Sequence, residues 1–365
     1  MGERRVNLKV DLAGIELRTP LLLTEGPLSG NVASIRRAAE HRLGAIITKG
    51  QRPEPAVSLT PYIAQTRERS LINADWSDMG YAAWLQAIRT LKADLPVPLI
   101  ASVAKNYVSP QVAADQAEAL SEAGVDGITL CDYNVPALIE AVRLTRPRVK
   151  CPLIAKLIPF IPNLEEVLND LVAAGIDGIA AMDSVGPVME IDIETGLSTM
   201  GSPDGEGYLS GRAIRPITVR YIYEISRHVD VPVIAVGGVT DYASAIEMMM
   251  VGATAVGMCT APLLHGLNVF DEVADGMERW LADHGIADVN EIRGLTHRRQ
   301  AQRLITSDKR AVVALERCTR CDRCVQSCFK AAPEMTDDGL VIHIERCVGC
   351  GLCVSICPAD ALCLD

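Results

Sequence analysis

The chain has 365 residues, enough for one barrel of roughly 250 residues plus a smaller second domain. A formal net charge of −11 excludes nucleic acid and an anionic membrane surface as general partners, and no apolar run approaches the roughly 20 residues of a membrane span. Hydrophobic residues make up 49% and aromatics only 4%, so a large core must be built from Ala, Val, Ile, Leu and Met.

The start, Met1-Gly2-Glu3-Arg4-Arg5, has no apolar signal core behind it, so a cytoplasmic location is expected. A hairpin follows. Val6, Leu8 and Val10 alternate, Ala13-Gly14 turns the chain, and Ile15 and Leu17 answer. After Pro20 a unit repeats: a short apolar strand, a loop of small residues, a helix-period segment. The strands are predicted at 21–24, 45–48, 98–102, 127–131, 153–157, 178–182, 233–236 and 253–258. Each is apolar on both sides, as strands enclosed by helices must be. Helices are predicted at 32–41, 110–123, 164–174, 214–228 and 242–251. Two phrases, Ala-Gly-Val-Asp-Gly-Ile at 123–128 and Ala-Gly-Ile-Asp-Gly-Ile at 174–179, read as a helix C-cap glycine followed by a strand entry.

Eight such units predict an α/β fold, a (β/α)₈ TIM barrel; a doubly wound sheet is the alternative. Long loops at 50–78 and 184–212 follow strands two and six, on the face where barrel enzymes keep their active sites. The Arg-rich segment 286–306, with Arg293, Arg298, Arg299 and Arg303, reads as a polar helical connector. The expected domains are 1–305 for the barrel with its hairpin and connector, and 306–365 for a ferredoxin-like module.

That module holds nine of the twelve cysteines; the other three, Cys131, Cys151 and Cys259, are scattered. A disulfide-stapled protein rarely confines its cysteines to one tail. The spacing is Cys318-x₂-Cys321-x₂-Cys324-x₃-Cys328, then Cys347-x₂-Cys350-x₂-Cys353-x₃-Cys357-Pro358. This is the pattern of two [4Fe–4S] clusters, in which the fourth ligand of each run crosses over. Cys318, Cys321, Cys324 and Cys357 are expected on one cluster, and Cys347, Cys350, Cys353 and Cys328 on the other. Phe329 stands where the first run would have its proline. Paired zinc sites are the alternative, but zinc does not require the doubled four-cysteine run. Cys363 is left over as a small packing residue.

Several phrases carry a family resemblance: Thr24-Glu25-Gly26, Ile46-Ile47-Thr48-Lys49, Ser70-Leu71-Ile72-Asn73, Ala155-Lys156-Leu157, residues 208–216 (Tyr208 to Pro216), Val236-Gly237-Gly238-Val239 and Gly257-Met258-Cys259-Thr260-Ala261. Residues 7 to about 300 resemble the dihydroorotate dehydrogenase family, including the FMN barrel of dihydropyrimidine dehydrogenase and its bacterial iron–sulfur subunit. The resemblance implies FMN. Lys156 would face the N1/C2 oxygen edge of the flavin and Lys49 its ring; Ser184 and Gly211 would line ring or ribityl chain. Thr24, Cys131, Gly237, Gly238, Cys259 and Thr260 join the cofactor-binding set, and Asn73 and Asp183 the substrate side. Barrel physics agrees in part. Loops after strands seven and eight usually form a phosphate site, where Gly237-Gly238 permits close backbone approach. A lysine in an apolar strand, as Lys156 is, needs a negative partner, whereas Lys49 could simply reach out at the strand's mouth.

One stretch departs. Where the family carries Asn-Leu-Ser-Cys-Pro-Asn with a catalytic cysteine, this chain has Cys131-Asp132-Tyr133-Asn134-Val135-Pro136. Asn134 stands at the catalytic position and Cys131 at a flavin-facing asparagine; the Asn after strand six becomes Asp183. Asparagine pairs donor and acceptor with an amide-rich ring, so these losses argue for a small non-pyrimidine substrate. Asn134 cannot exchange a proton as a thiol does; Cys131 or Tyr133 is expected to serve, unless Cys131 is only an apolar filler. The expected activity is reduction of an activated C=C or C=N bond, with electrons arriving through the clusters and collecting on FMN. No dinucleotide-binding glycine motif follows a strand, so a ferredoxin-like protein or reductase subunit is the expected electron partner. Two alternatives stand: a dihydropyrimidine or dihydroorotate dehydrogenase passing electrons outward, and a non-catalytic relay subunit. A homodimer is left open.

Overall fold

A computed structural model describes residues 6–57, 59–74, 77–104, 109–302 and 308–365. The chain divides into two compact units, Met1–Gln300 and Ala301–Asp365. The boundary expected between 305 and 306, and the connector's Arg303, lie outside the described residues.

The first unit is a closed barrel of eight parallel strands whose order around the barrel is their order in the chain. They are β1 (Leu21–Leu23), β2 (Ala45–Ile47), β3 (Leu99–Ala104), β4 (Gly127–Cys131), β5 (Leu153–Leu157), β6 (Gly178–Ala181), β7 (Val233–Val236) and β8 (Ala255–Met258). Apart from Ala104, every one of these strand residues is buried, which is why they read as unbroken apolar runs. Helices cover the outside, among them Tyr81–Lys92, Val135–Thr145 and Val269–Asp283, which the sequence reading did not name. The core is aliphatic as composition requires; Trp84 and Phe270 are its large aromatics.

The hairpin pairs Val10–Leu12 with Ile15–Leu17, and both turn residues, Ala13 and Gly14, have positive φ. That is the twist a two-residue hairpin needs. A Cβ on Gly127, the first residue of β4, would lie 3.2 Å from the Ile15 side chain, so the hairpin closes the N-terminal end of the barrel. The opposite end stays open for chemistry. There the two long loops are not irregular: they pair into one antiparallel sheet, ordered Val185–Val188, Gly207–Ser210, Leu71–Asn73, Ile63–Gln65. The loops were legible; their pairing, a contact between residues about 140 apart, was not.

The second unit has two antiparallel pairs, Ala311–Val313 with Leu362–Leu364 and Pro333–Thr336 with Gly339–Ile342. Its core is small: Cys324, Leu340 and Leu362 are buried with Val313, Met335 and Ile342 around them. The two cysteine runs bend alike. Positive φ occurs at Arg320, Asp322 and Ala331, and again at Gly349, Gly351 and Asp360, the same offsets from Cys318 and Cys347. Among the described residues no helix is long and apolar enough to cross a membrane.

Candidate active site

A cavity of about 500 Å³ opens at the C-terminal end of the barrel. Thr24, Lys49, Cys131, Tyr133, Lys156 and Asp183 line it. So do Ser184, Gly211, Gly237, Gly238, Cys259 and Thr260, and Asn73 from the sheet over the mouth. Of the cofactor, substrate and catalytic residues expected from sequence, only Asn134 is not part of this lining. Its side chain instead caps the helix Val135–Thr145, accepting from Ala137 N at 3.1 Å. An asparagine that ends a loop in this way has its carbonyl committed to the backbone.

The floor is electrostatic. Cys131 and Lys156 are directly opposed in the β4–β5 register, so both side chains enter the barrel. Lys156 Nζ lies 3.2 Å from Glu25 Oε2 and 3.7 Å from Asp183 Oδ1. The side chains of Lys156 and Glu25 are 7% and 8% exposed. Burial works against the ammonium charge, but Asp183 and then Glu25 outweigh it, and the Lys156 pKa is raised. Burial likewise opposes ionisation of Asp183, yet the Lys156 charge and the Ser184 N–H, which donates at 2.8 Å, hold its carboxyl below the usual range. Two thiol or phenol groups also face Asp183 Oδ2: Tyr133 Oη donates at 3.3 Å and Cys131 Sγ sits at 3.8 Å. Burial and then the Asp183 charge push both of them up, so both stay protonated. Burial raises the Cys259 thiol to about 11.

Glu25 and Tyr208 also line the cavity, although the family-like phrases that contain them imply no role for either. Glu25 carries a usable signal: an acid at the end of an all-apolar strand needs a cation, and Lys156 is the buried one available. Tyr208 pairs with Asn73 across the covering sheet and meets Tyr133 edge-on at 6.1 Å. Arg52 also lines the cavity, and no sequence signal marked it.

Glycine backbone shapes the part of the cavity that follows β7. Gly237 and Gly238 have φ of 118° and 85°, and a Cβ on Gly238 would come within 2.5 Å of Arg215. Gly211, at φ 91°, leaves a Cβ 2.8 Å from Thr260. Thr24 Oγ1 is buried with no hydrogen-bond partner among the described residues. A polar cofactor atom would satisfy it, and bare glycine amides after β7 suit an anion. The cavity therefore fits a flavin nucleotide.

In the second unit two small hollows separate the thiols. Cys318, Cys321, Cys324 and Cys357 line one; Cys328, Cys347, Cys350 and Cys353 line the other. Backbone N–H groups already point at sulfur, from Ala311 to Cys347 at 3.4 Å and from Ala361 to Cys357 at 3.3 Å. Four sulfurs about each hollow is the donor set of a cubane cluster.

Comparison with known proteins agrees with this geometry. Residues 7–281 match the dihydroorotate dehydrogenase family, and residues 310–358 match the 4Fe-4S dicluster domain. The chain belongs to the dihydroorotate dehydrogenase family. Among its relatives is the catalytic subunit of dihydroorotate dehydrogenase B (NAD(+)) of Methanothermobacter thermautotrophicus, 31% identical over 80% of this chain and 98% of that protein. The subunits of the same name from Methanosarcina acetivorans and Pyrococcus abyssi are each 32% identical over 79% of this chain, covering 95% and 98% of their own length. Each alignment nearly exhausts the relative while leaving about a fifth of this chain unmatched. This member of the family is an FMN- and iron–sulfur-dependent oxidoreductase of CH–CH bonds, with a (β/α)₈ barrel and two [4Fe–4S] clusters.

Proposed function

We propose that the chain is a dehydrogenase of the dihydroorotate or dihydropyrimidine type, taking a hydride and a proton from a saturated CH–CH bond and passing the electrons to a partner protein. The observation that carries this reading is the single cavity that gathers Asn73, both lysines and the glycine cradle in a chain whose relatives are dihydroorotate dehydrogenase B catalytic subunits. Those relatives favour the dehydrogenase over the expected reductase of a non-pyrimidine substrate, for which they lend no support. FMN supplies the hydride chemistry when bound. Lys156 balances charge beneath the ring, Gly211, Gly237 and Gly238 approach ribityl and phosphate groups, and Asn73 reads the substrate from the covering sheet. Cys318, Cys321, Cys324 and Cys357 hold one cluster; Cys328, Cys347, Cys350 and Cys353 hold the other. The term "catalytic subunit" in the relatives' names supports an electron-transfer protein as the partner.

The test is an anaerobic assay of dihydroorotate and 5,6-dihydrouracil with a viologen or ferricyanide acceptor. Turnover of either supports the proposal; loss of activity on both, with FMN and iron at full content, overturns it. A non-pyrimidine substrate remains as a second reading because Asp183 and Cys131, a carboxylate and a thiol, line the cavity where the family carries amides. Turnover of another cyclic or conjugated substrate in the same acceptor assay, with neither pyrimidine used, would favour it.

A further inference from the structure

The cavity floor holds one lysine between two carboxylates. Lys156 is 3.2 Å from Glu25 and 3.7 Å from Asp183, and all three residues line the space that fits the flavin. Glu25 is fixed further by the Thr129 hydroxyl, 3.5 Å from Oε1, and Asp183 by the Ser184 amide and the Tyr133 hydroxyl. The Ser184 amide and the Tyr133 hydroxyl favour Asp183 as an anion. A lysine alone beneath a flavin stabilises the negative charge that reduction adds to the ring. A lysine already paired twice does so less, because the two carboxylates offset its field at the ring. Lys49 and Arg52 also line the cavity; Lys49 acts on Asp183 more weakly than Lys156 does, and both are partly exposed, where water weakens their fields.

We infer that Asp183 and Glu25 neutralise Lys156 and so hold the flavin at a low reduction potential. The inference rests on the flavin reading of the cavity and adds to it a role for two positioning residues that act through Lys156. It accounts for a feature that substrate binding does not: Glu25 lies against Lys156 with its side chain only 8% exposed, and Thr129 and Lys156 occupy it. The barrel supplies Glu25 from the end of β1, Lys156 from β5 and Asp183 from the end of β6, so no local sequence motif records the arrangement.

Sulfite is the probe. It adds through sulfur to N5 of an oxidised flavin, bleaches the visible band and leaves negative charge on the ring, so its affinity follows the same electrostatics as the potential. The experiment measures the sulfite dissociation constant and the dye-equilibrated flavin potential of the anaerobic holoenzyme and its variants. Asp183→Asn keeps the acceptor for Ser184 and removes the charge; sulfite should bind at least tenfold more tightly, a rise of about 30 mV for a two-electron couple. Glu25→Gln should shift both readouts the same way. Lys156→Gln should shift them the opposite way, and the Asp183→Asn/Lys156→Gln double variant should return toward the parent. A structural lesion would not reverse sign between these variants. Bound FMN with unchanged or weaker sulfite affinity in both Asp183→Asn and Glu25→Gln overturns this inference alone. Parent protein that carries iron but releases no FMN on denaturation overturns the flavin reading and this inference with it.

Discussion

The Tyr133 hydroxyl donates to Asp183 Oδ2 at 3.3 Å, tying the loop after β4 to the loop after β6 at the cavity. Tyr133 is the member of its loop that can hold a proton where a substrate would lie, because Asn134 is committed to the helix cap. Cys131 reaches the same carboxylate at 3.8 Å but is only 7% exposed, whereas Tyr133 is 39% exposed and can exchange with solvent.

A positioned acid contributes about 10²–10⁴-fold, so in the direction that protonates substrate Tyr133→Phe should lower turnover at least tenfold, and more than Cys131→Ser. Burial and the Asp183 charge raise the phenol above its ordinary value, so Tyr133 stays protonated through the alkaline range. In the direction that protonates substrate, the rate should therefore show no loss from Tyr133 between about pH 6 and pH 9. Stopped-flow traces across that range check both points. Equal full activity of the two single variants and of the double variant would assign the proton to water.

Much of this site was legible because barrel strands are short, fully buried and repeated. Strands β4, β5 and β7 fall on their predicted residues, and the other five differ by one to three residues at their ends. The cavity-lining residues stand at or near strand ends, which periodicity locates, while their expected place beside a cofactor rests on the family resemblance. Three things were not legible. The covering sheet pairs Leu71–Asn73 with Gly207–Ser210 across long sequence separation. Asn134 matched a catalytic position by alignment, but its Oδ1 satisfies a helix N-terminus instead. Glu25 and Lys156 come together only when the barrel closes β8 onto β1.

Gly238 gives a second expectation. Its φ of 85° is costly for any residue with a Cβ, and here that Cβ would also lie 2.5 Å from Arg215 backbone and side chain. Gly238→Ala should weaken FMN binding at least tenfold, since the loop must shift to relieve a clash with backbone. Gly124→Ala is the control: φ is 88° but nothing lies within 4 Å of the new Cβ. It should cost about 1–2 kcal/mol of stability and leave FMN affinity unchanged. FMN fluorescence on dilution measures the first, and thermal unfolding the second.

Iron content tests the crossed cysteine sets. The holoprotein should carry about eight iron atoms. Cys357→Ala removes a thiol from the hollow of Cys318, Cys321 and Cys324, and Cys328→Ala one from the hollow of Cys347, Cys350 and Cys353. Each should disturb the cluster of the other run, leaving about four iron atoms and one set of reduced-cluster EPR signals. If Cys357→Ala instead abolished the signal also lost in Cys350→Ala, the sets would be uncrossed.

The two Ala-Gly-x-Asp-Gly-Ile phrases hold the last expectation. Each aspartate reaches back to the first amide of the preceding strand: Asp126 Oδ2 accepts from Leu99 N at 2.7 Å, and Asp177 Oδ2 from Leu153 N at 2.8 Å. The same oxygens take a cation from the preceding helical segment, Lys92 for Asp126 and Arg146 for Asp177. The aspartates' own amides donate to Leu99 and Leu153 carbonyls, so each residue clasps the neighbouring strand twice. The third equivalent position has Thr254, whose amide donates to Val233 but which has no carboxylate to return the bond. Asp177→Ala strips a charged acceptor from a strand amide and from Arg146, and should cost about 1–2 kcal/mol, since the side chain is partly solvated. Asp126→Ala should cost a similar amount for the same reason. Asp115→Ala removes only exposed contacts, to Arg148 and to the Gln111 side chain, and should leave the unfolding midpoint nearly unchanged. Asp177→Asn retains an acceptor for Leu153 N while losing the charge, so it should fall between the parent and Asp177→Ala. Chemical denaturation of the four variants measures the order. Equal midpoints for Asp177→Ala and Asp115→Ala would mean that the repeated aspartate is a surface residue and that the glycine turns alone set the strand entries.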